Sequence, residues 1–173
     1  MKIWSDHDDA GLKFDKHTAV FSGRFFEEVE SEHKFLPNVK TTLPTRSDSR
    51  SAGYDFYAKE NYILKPGESV AIYTDVKASM QPDECLVISP RSSVGIKLSL
   101  MLKNTMGIID ASYYCNPKND GNIIVCLYNY SDQEATILAG ERFAQGIFQK
   151  YLTTDDDQPT NLTRLGGSGS SGK

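Results

Sequence analysis

From Tyr54 to Leu152 the chain is cut into strand-length pieces. The β-prone runs YDFYA, YILK, SVAIYTDV, CLVISP, SLMLK, NIIVCLYNY, EATIL and RFAQGIFQKY alternate with the turn signals KPGE, QPDE, NPKNDG and LAGE. Spaced roughly every eight to twelve residues and with no long stretch of helical period, they predict an all-β antiparallel sandwich or barrel with little helix. Chemistry in such a fold sits on strand ends and loops, so polar residues at those places are the ones to examine.

At 173 residues the chain has the length of one domain, able to bury about two thirds of its unfolded surface. Residues 1–22 read as an N-terminal extension, 23–152 as the β domain, and 153–173 as an acidic linker (TTDDDQPTN) with a flexible Gly/Ser-rich arm, LGGSGSSGK. No apolar run is long enough for a membrane span, and MKIWSDHDDAG lacks the order of a secretory signal, so no membrane partner and a cytoplasmic setting are expected. Cys85, Cys115 and Cys126 have no CxxC spacing and read as reduced thiols; His7, His17 and His33 show no metal or catalytic spacing. A formal net charge of -4 argues against nucleic acid as a partner, so an anionic ligand has to be met by a local site.

Four stretches offer such chemistry. In PRSSVGIK, Arg91, Ser92 and Ser93 follow a strand and can present a guanidinium, hydroxyls and turn N–H groups to phosphate oxygens, although an ordinary surface turn has the same look. In RSAGYDFYA, Asp55 ends a turn and could hold a metal-bound water, since magnesium keeps several of its own waters. In ERFAQGIF, Gln145 is an amide among apolar neighbours and needs a backbone or ligand partner. In MGIIDASYYCN, Asp110 ends an apolar run, where a turn-capping role and a catalytic one both fit. Residues 167–173, GSGSSGK, match the GxGxxG and GxxxxGK spacings by composition alone; they follow an acidic linker and not a strand, so neither familiar nucleotide fold is indicated.

Taken in order, AGYDFYA, PRSSVGIK, NTMGIIDASYY, ERFAQGIF and RLGGSGSSG resemble the five motifs of the homotrimeric dUTPase family, AGxDLxA, (G/P)RSSxx, Nxx(G)xIDxxY, RxAQ and Rx(x)GGFGS(T/S)G. The loop YYCNPKNDGNI is similar to the longer loop of the branch found in Gram-positive bacteria and their phages. The resemblance implies a jelly-roll-like β fold, a native C-terminal arm, a homotrimer with shared active sites, and Mg2+-dependent hydrolysis of dUTP to dUMP and pyrophosphate. It implies Asp110 as the base that orients and deprotonates the attacking water, its basicity raised by partial desolvation. Asn104 and the backbone of Gly107, Ile108 and Ile109 would read the uracil edge, and Tyr113 would pack under the deoxyribose where a 2′-hydroxyl would collide. Arg91, Ser92 and Ser93 would cradle the phosphates, Asp55 and Gln145 would reach magnesium through water, and Arg164, Ser168, Gly169 and Ser170 would close over the substrate from the arm.

Ser168 stands where the family normally carries an aromatic residue that stacks on uracil, and the first 22 residues have no counterpart in the motifs. Two other readings stay open on the residues alone. A dCTP deaminase of the same fold requires a glutamate soon after the hairpin, and none occurs between Glu84 and Glu134. A phage-encoded regulator would use dUTP as a switch and a regulatory protein as its partner.

Overall fold

A computed structural model of the chain describes residues 23–159. Its strands are β1 (Phe25–Glu28), β2 (Thr45–Arg46), β3 (Tyr54–Tyr57), β4 (Tyr62–Leu64), β5 (Ser69–Tyr73), β6 (Val76–Ser79), β7 (Glu84–Pro90), β8 (Leu100–Leu102), β9 (Gly107–Asp110), β10 (Ile124–Asn129), β11 (Ala135–Ile137) and β12 (Arg142–Lys150). Every pairing is antiparallel. Helix among the described residues is confined to short turns at Ser31–His33, Ser93–Lys97 and Ala111–Tyr113. The all-β antiparallel architecture expected from the strand rhythm is therefore the one that forms, and it agrees with the jelly-roll-like fold that the resemblance implies. No helix among the described residues is long and apolar enough to cross a membrane.

The principal sheet runs β2-β3-β12-β7-β9, and a second runs β5-β10-β8; β4 pairs with β11 and β1 with β6. Alternation decides which face each strand buries: in β10, Val125, Leu127 and Asn129 point inward while Ile124, Cys126 and Tyr128 are partly exposed. Inward residues including Phe56, Leu64, Ile72, Leu86, Leu127 and Phe143 form one continuous core. The longest strand, β12, lies at the centre of the principal sheet, and its two neighbours each lead to a loop of the candidate site.

The run SVAIYTDV, which reads as one strand, is two. Asp75 takes a left-handed conformation (φ 55°) and turns the chain, so that β5 joins β10 while β6 joins β1. Short polar side chains tolerate this backbone better than β-branched ones. Asp75 is fully buried; its carboxylate pairs with Lys59 and accepts the N–H groups of Phe35 (2.8 Å) and Leu36 (3.2 Å). Burial alone pushes its carboxyl up, but hydrogen bonds from Lys59, Phe35, Asn122 and Leu36 together hold it below the ordinary value.

RFFEEV, which lies ahead of the regularly spaced strand runs, contains β1, which pairs with β6 from Phe25↔Ser79 to Glu28↔Val76. Buried Lys77 fixes this strand by reaching both Glu27 (3.3 Å) and Asp120 (2.8 Å).

Candidate active site

The sequence-expected residues gather into two clefts at opposite ends of the principal sheet. At one end, Asp55 on β3 stands opposite Gln145 on β12, and Gln145 stands opposite Ser89 on β7. β7 runs on into Arg91, and Arg142 opens β12, so both guanidinium groups converge on Asp55. Arg91 Nε lies 2.8 Å from Asp55 Oδ1, and Arg142 Nη1 lies 3.1 Å from Oδ2. The Ser47 hydroxyl donates to Oδ2 (3.1 Å) and accepts from Arg142 (3.1 Å). Asp55 is only 4% exposed, so one nearly buried carboxylate fixes the direction of two arginines.

These arginines line a cleft of about 500 Å³ with Ser93, Lys97, Tyr57 and Glu141. The turn at Ser93–Lys97 is held by the Arg91 carbonyl, which accepts from Val94 and Gly95 (both 2.9 Å). Two arginines with oriented hydrogen-bonding forks, and the Lys97 ammonium as a third positive charge, suit a polyanion such as a chain of phosphates. Ser92 is exposed beside this turn. Arg142 belongs to the cleft as firmly as Arg91, yet sequence reasoning had not assigned it a role; its place in ERFAQGIF was the available signal.

Asp55 gives both its oxygens to arginine and serine, which makes it first an anchor for the guanidinium groups. Oδ2 already accepts from both Ser47 and Arg142, whereas Oδ1 keeps a further acceptor position, so water-mediated contact to a metal through Oδ1 is compatible with this geometry. No group of three or more His, Cys, Asp or Glu that could hold an ion directly occurs among the described residues. The Gln145 amide lies against Gly53, where an added Cβ would come within 2.5 Å of its Oε1. The glycine of RSAGYDF thus leaves room for the amide and seats it beside Asp55.

At the other end, β9 forms the edge of the sheet and opens onto a cavity of about 440 Å³. Asn104, Gly107, Ile108, Ile109, Asp110 and Tyr113 line it, as do Lys103 and Cys126, neither of which the sequence had singled out. One edge of β9 is bonded to β7; the opposite edge carries backbone N–H and C=O groups of the kind that can read a base. The tight turn into the strand has Thr105 at φ 64° and a Met106 N–H donated to the Asn104 carbonyl (2.7 Å).

Asp110 ends β9 and is exposed, so any desolvation of its carboxylate comes from a bound ligand or a covering segment. Across the strand pair it faces Cys85, whose thiol is pushed up by burial and then by the Asp110 charge, which keeps it protonated. Tyr113 is buried and rigid: its hydroxyl donates to the Asn122 carbonyl (3.0 Å) and accepts from Asn119 Nδ2 (2.8 Å). Arg164, Ser168, Gly169 and Ser170 lie outside the described residues.

The family model described as dUTPase matches residues 39–172. The chain belongs to the dUTPase family. The deoxyuridine 5'-triphosphate nucleotidohydrolase of Lactococcus lactis is 41% identical over 146 residues, which cover 84% of this chain and 95% of that protein. The crystal structure of the dUTPase from Streptococcus mutans superposes with a TM-score of 0.64 at 38% identity, over 75% of this chain and 98% of that one. A variant dUTPase from phage phi11 of S. aureus, described as coordinating a structural Mg(II) ion, shares the fold at a TM-score of 0.62 and 21% identity, over 81% of this chain and 98% of that one.

Proposed function

We propose that this protein hydrolyses dUTP to dUMP and pyrophosphate, limiting uracil in DNA and supplying the precursor of thymidylate. The observation that carries the reading is the position of Asp110, on a cavity of about 440 Å³, roomy enough for a nucleoside, that is lined by its own strand and by a fixed tyrosine ring. A water between Asp110 and the α-phosphorus can lose its proton to the carboxylate as the new P–O bond forms. The bond from the α-phosphorus to the bridging oxygen breaks, and pyrophosphate leaves with its charge met by Arg91, Arg142 and Lys97.

A base edge read by backbone groups distinguishes uracil from cytosine, whose donor and acceptor are exchanged and would leave buried polar groups unpaired. The Tyr113 ring, held at its hydroxyl, cannot yield to a 2′-hydroxyl. Mg2+ bound with the triphosphate would neutralise phosphate charge, with Asp55 and Gln145 reaching it through water.

The site is shared between subunits. From Asp110 to Asp55 is three strands across the sheet and four residues along it, about 20 Å. One triphosphate cannot engage the base and the arginine cleft of the same chain over that distance. The fit is restored when Asp110 of one copy faces the arginines of another, as in a homotrimer, with the arm closing over both.

The deciding experiment is pyrophosphate release with Mg2+ over dUTP, dCTP, dTTP and UTP, alongside ammonia release from dCTP. Hydrolysis confined to dUTP is expected. Ammonia from dCTP would identify a deaminase instead, and comparable rates on UTP would remove Tyr113 as the sugar gate.

A further inference from the structure

The hydrogen bonds that fix Tyr113 continue beyond the cavity. Asn122, 1% exposed, accepts the tyrosine hydroxyl on its backbone carbonyl. Its side chain binds elsewhere: Oδ1 accepts the Asp75 N–H (3.0 Å), while Nδ2 donates to Asp75 Oδ1 (2.9 Å) and to the His33 carbonyl (3.1 Å). Asp75 in turn binds the Phe35 and Leu36 N–H groups, and Lys59, its ion-pair partner, donates to the Leu36 carbonyl (3.0 Å). Residues 29–41 thus form a strap seated on the residues that hold the tyrosine. Most of the strap precedes residue 39, where the family match begins.

The loop between Tyr113 and Asn122 closes the same frame. Asn116 Nδ2 donates to the Tyr113 carbonyl (2.8 Å) and to Asn119 Oδ1 (2.7 Å), and Asn119 Nδ2 reaches the phenol. Gly121 has φ +82°, and a Cβ there would come within 2.8 Å of the Tyr113 carbonyl oxygen. Backbone and ring of Tyr113 are therefore located by groups that do not line the cavity.

We propose that Asn122, Asn119 and the strap of residues 29–41 are positioning elements for Tyr113 and set how strongly the site rejects a ribonucleotide. A ring that can retreat admits a 2′-hydroxyl; a ring held at both ends does not. The inference rests on the reading of the cavity as a deoxyuridine site gated by Tyr113. The substrate class it concerns is the uridine ribonucleotides, present wherever deoxyuridine nucleotides are.

The test compares kcat/KM for UTP and dUTP in the full chain and in Asn119→Ala, Asn122→Ser and Tyr113→Ala, with Tm measured for each. In Asn119→Ala, loss of one hydrogen bond to the phenol should raise kcat/KM for UTP about fivefold. Asn122→Ser should act in the same direction. A purely structural role lowers both substrates together as Tm falls, and does not create UTP turnover. Should Tyr113→Ala admit UTP while both asparagine variants keep the parent's dUTP-to-UTP ratio, the positioning role is overturned and the gate stands. A parent chain that does not prefer dUTP to UTP overturns the gate and this inference with it.

Discussion

At the scale of single residues, the site depends on carboxylates whose surroundings differ. Asp55 is nearly buried and engaged by two arginines, whereas Asp110 is exposed at a strand end beside a cavity. The first has the environment of an anchor; the second is open to a ligand, as the proposed base has to be. Asp110→Asn keeps the size and hydrogen-bonding reach of the side chain but cannot accept the proton, so turnover of dUTP should fall about 100-fold or more. Binding of a non-hydrolysable dUTP analogue should change little. A variant within a few-fold of the parent rate would show that another group takes the proton. Both aspartates were legible in the sequence because each follows a motif glycine by a short interval, but their division of labour was not. That Asp55 faces two guanidinium groups depends on β3, β7 and β12 being neighbours, and no local pattern around Asp55 reports on Arg91 or Arg142 far along the chain.

At the scale of elements, most strands were readable from alternation and turn residues, and the exceptions have physical causes. FFEE in β1 has no apolar alternation; it is a strand because β6 pairs with it and Lys77 is available to neutralise Glu27. SVAIYTDV looks continuous because the left-handed turn at Asp75 is stabilised by Lys59, Asn122 and the strap, all of them remote in sequence. This latch should be sensitive to acid. The Asp75 carboxyl is held below its unfolded value, so its contribution to stability is present at neutral pH and lost as pH falls through the folded value. Loss should begin only below about pH 4, the ordinary range of an aspartate. Hydrogen exchange should then show the Phe35 and Leu36 amides losing protection ahead of the amides of central β12. Strap amides that stay as protected as those of β12 through the acid transition would mean that the carboxylate is not what holds the strap.

At the scale of the whole molecule, the sheet that builds the site also divides it. β7 carries Cys85, opposite Asp110, near one end and leads into Arg91 at the other, while β12 separates it from Asp55. A rigid sheet cannot fold its ends together, so under the proposed shared site the two halves would complete one another between copies of the chain. Subunit complementation tests this directly. Homotrimers of Asp110→Asn lack the base, and homotrimers of Arg91→Ala lack a phosphate clamp; each should be nearly inactive. In trimers mixed at equal ratio, a site that draws Asp110 from one subunit and Arg91 from another receives both intact residues in about one quarter of cases. Activity near that fraction of the parent's should therefore return on mixing under conditions that exchange subunits. If each site instead used Asp110 and Arg91 of the same chain, no mixture of these two variants could contain an intact site. Activity that stays at the sum of the separate variants, with exchange shown by mass spectrometry of the mixed trimers, would thus place both residues in one subunit and contradict the separation of about 20 Å that the strand register implies.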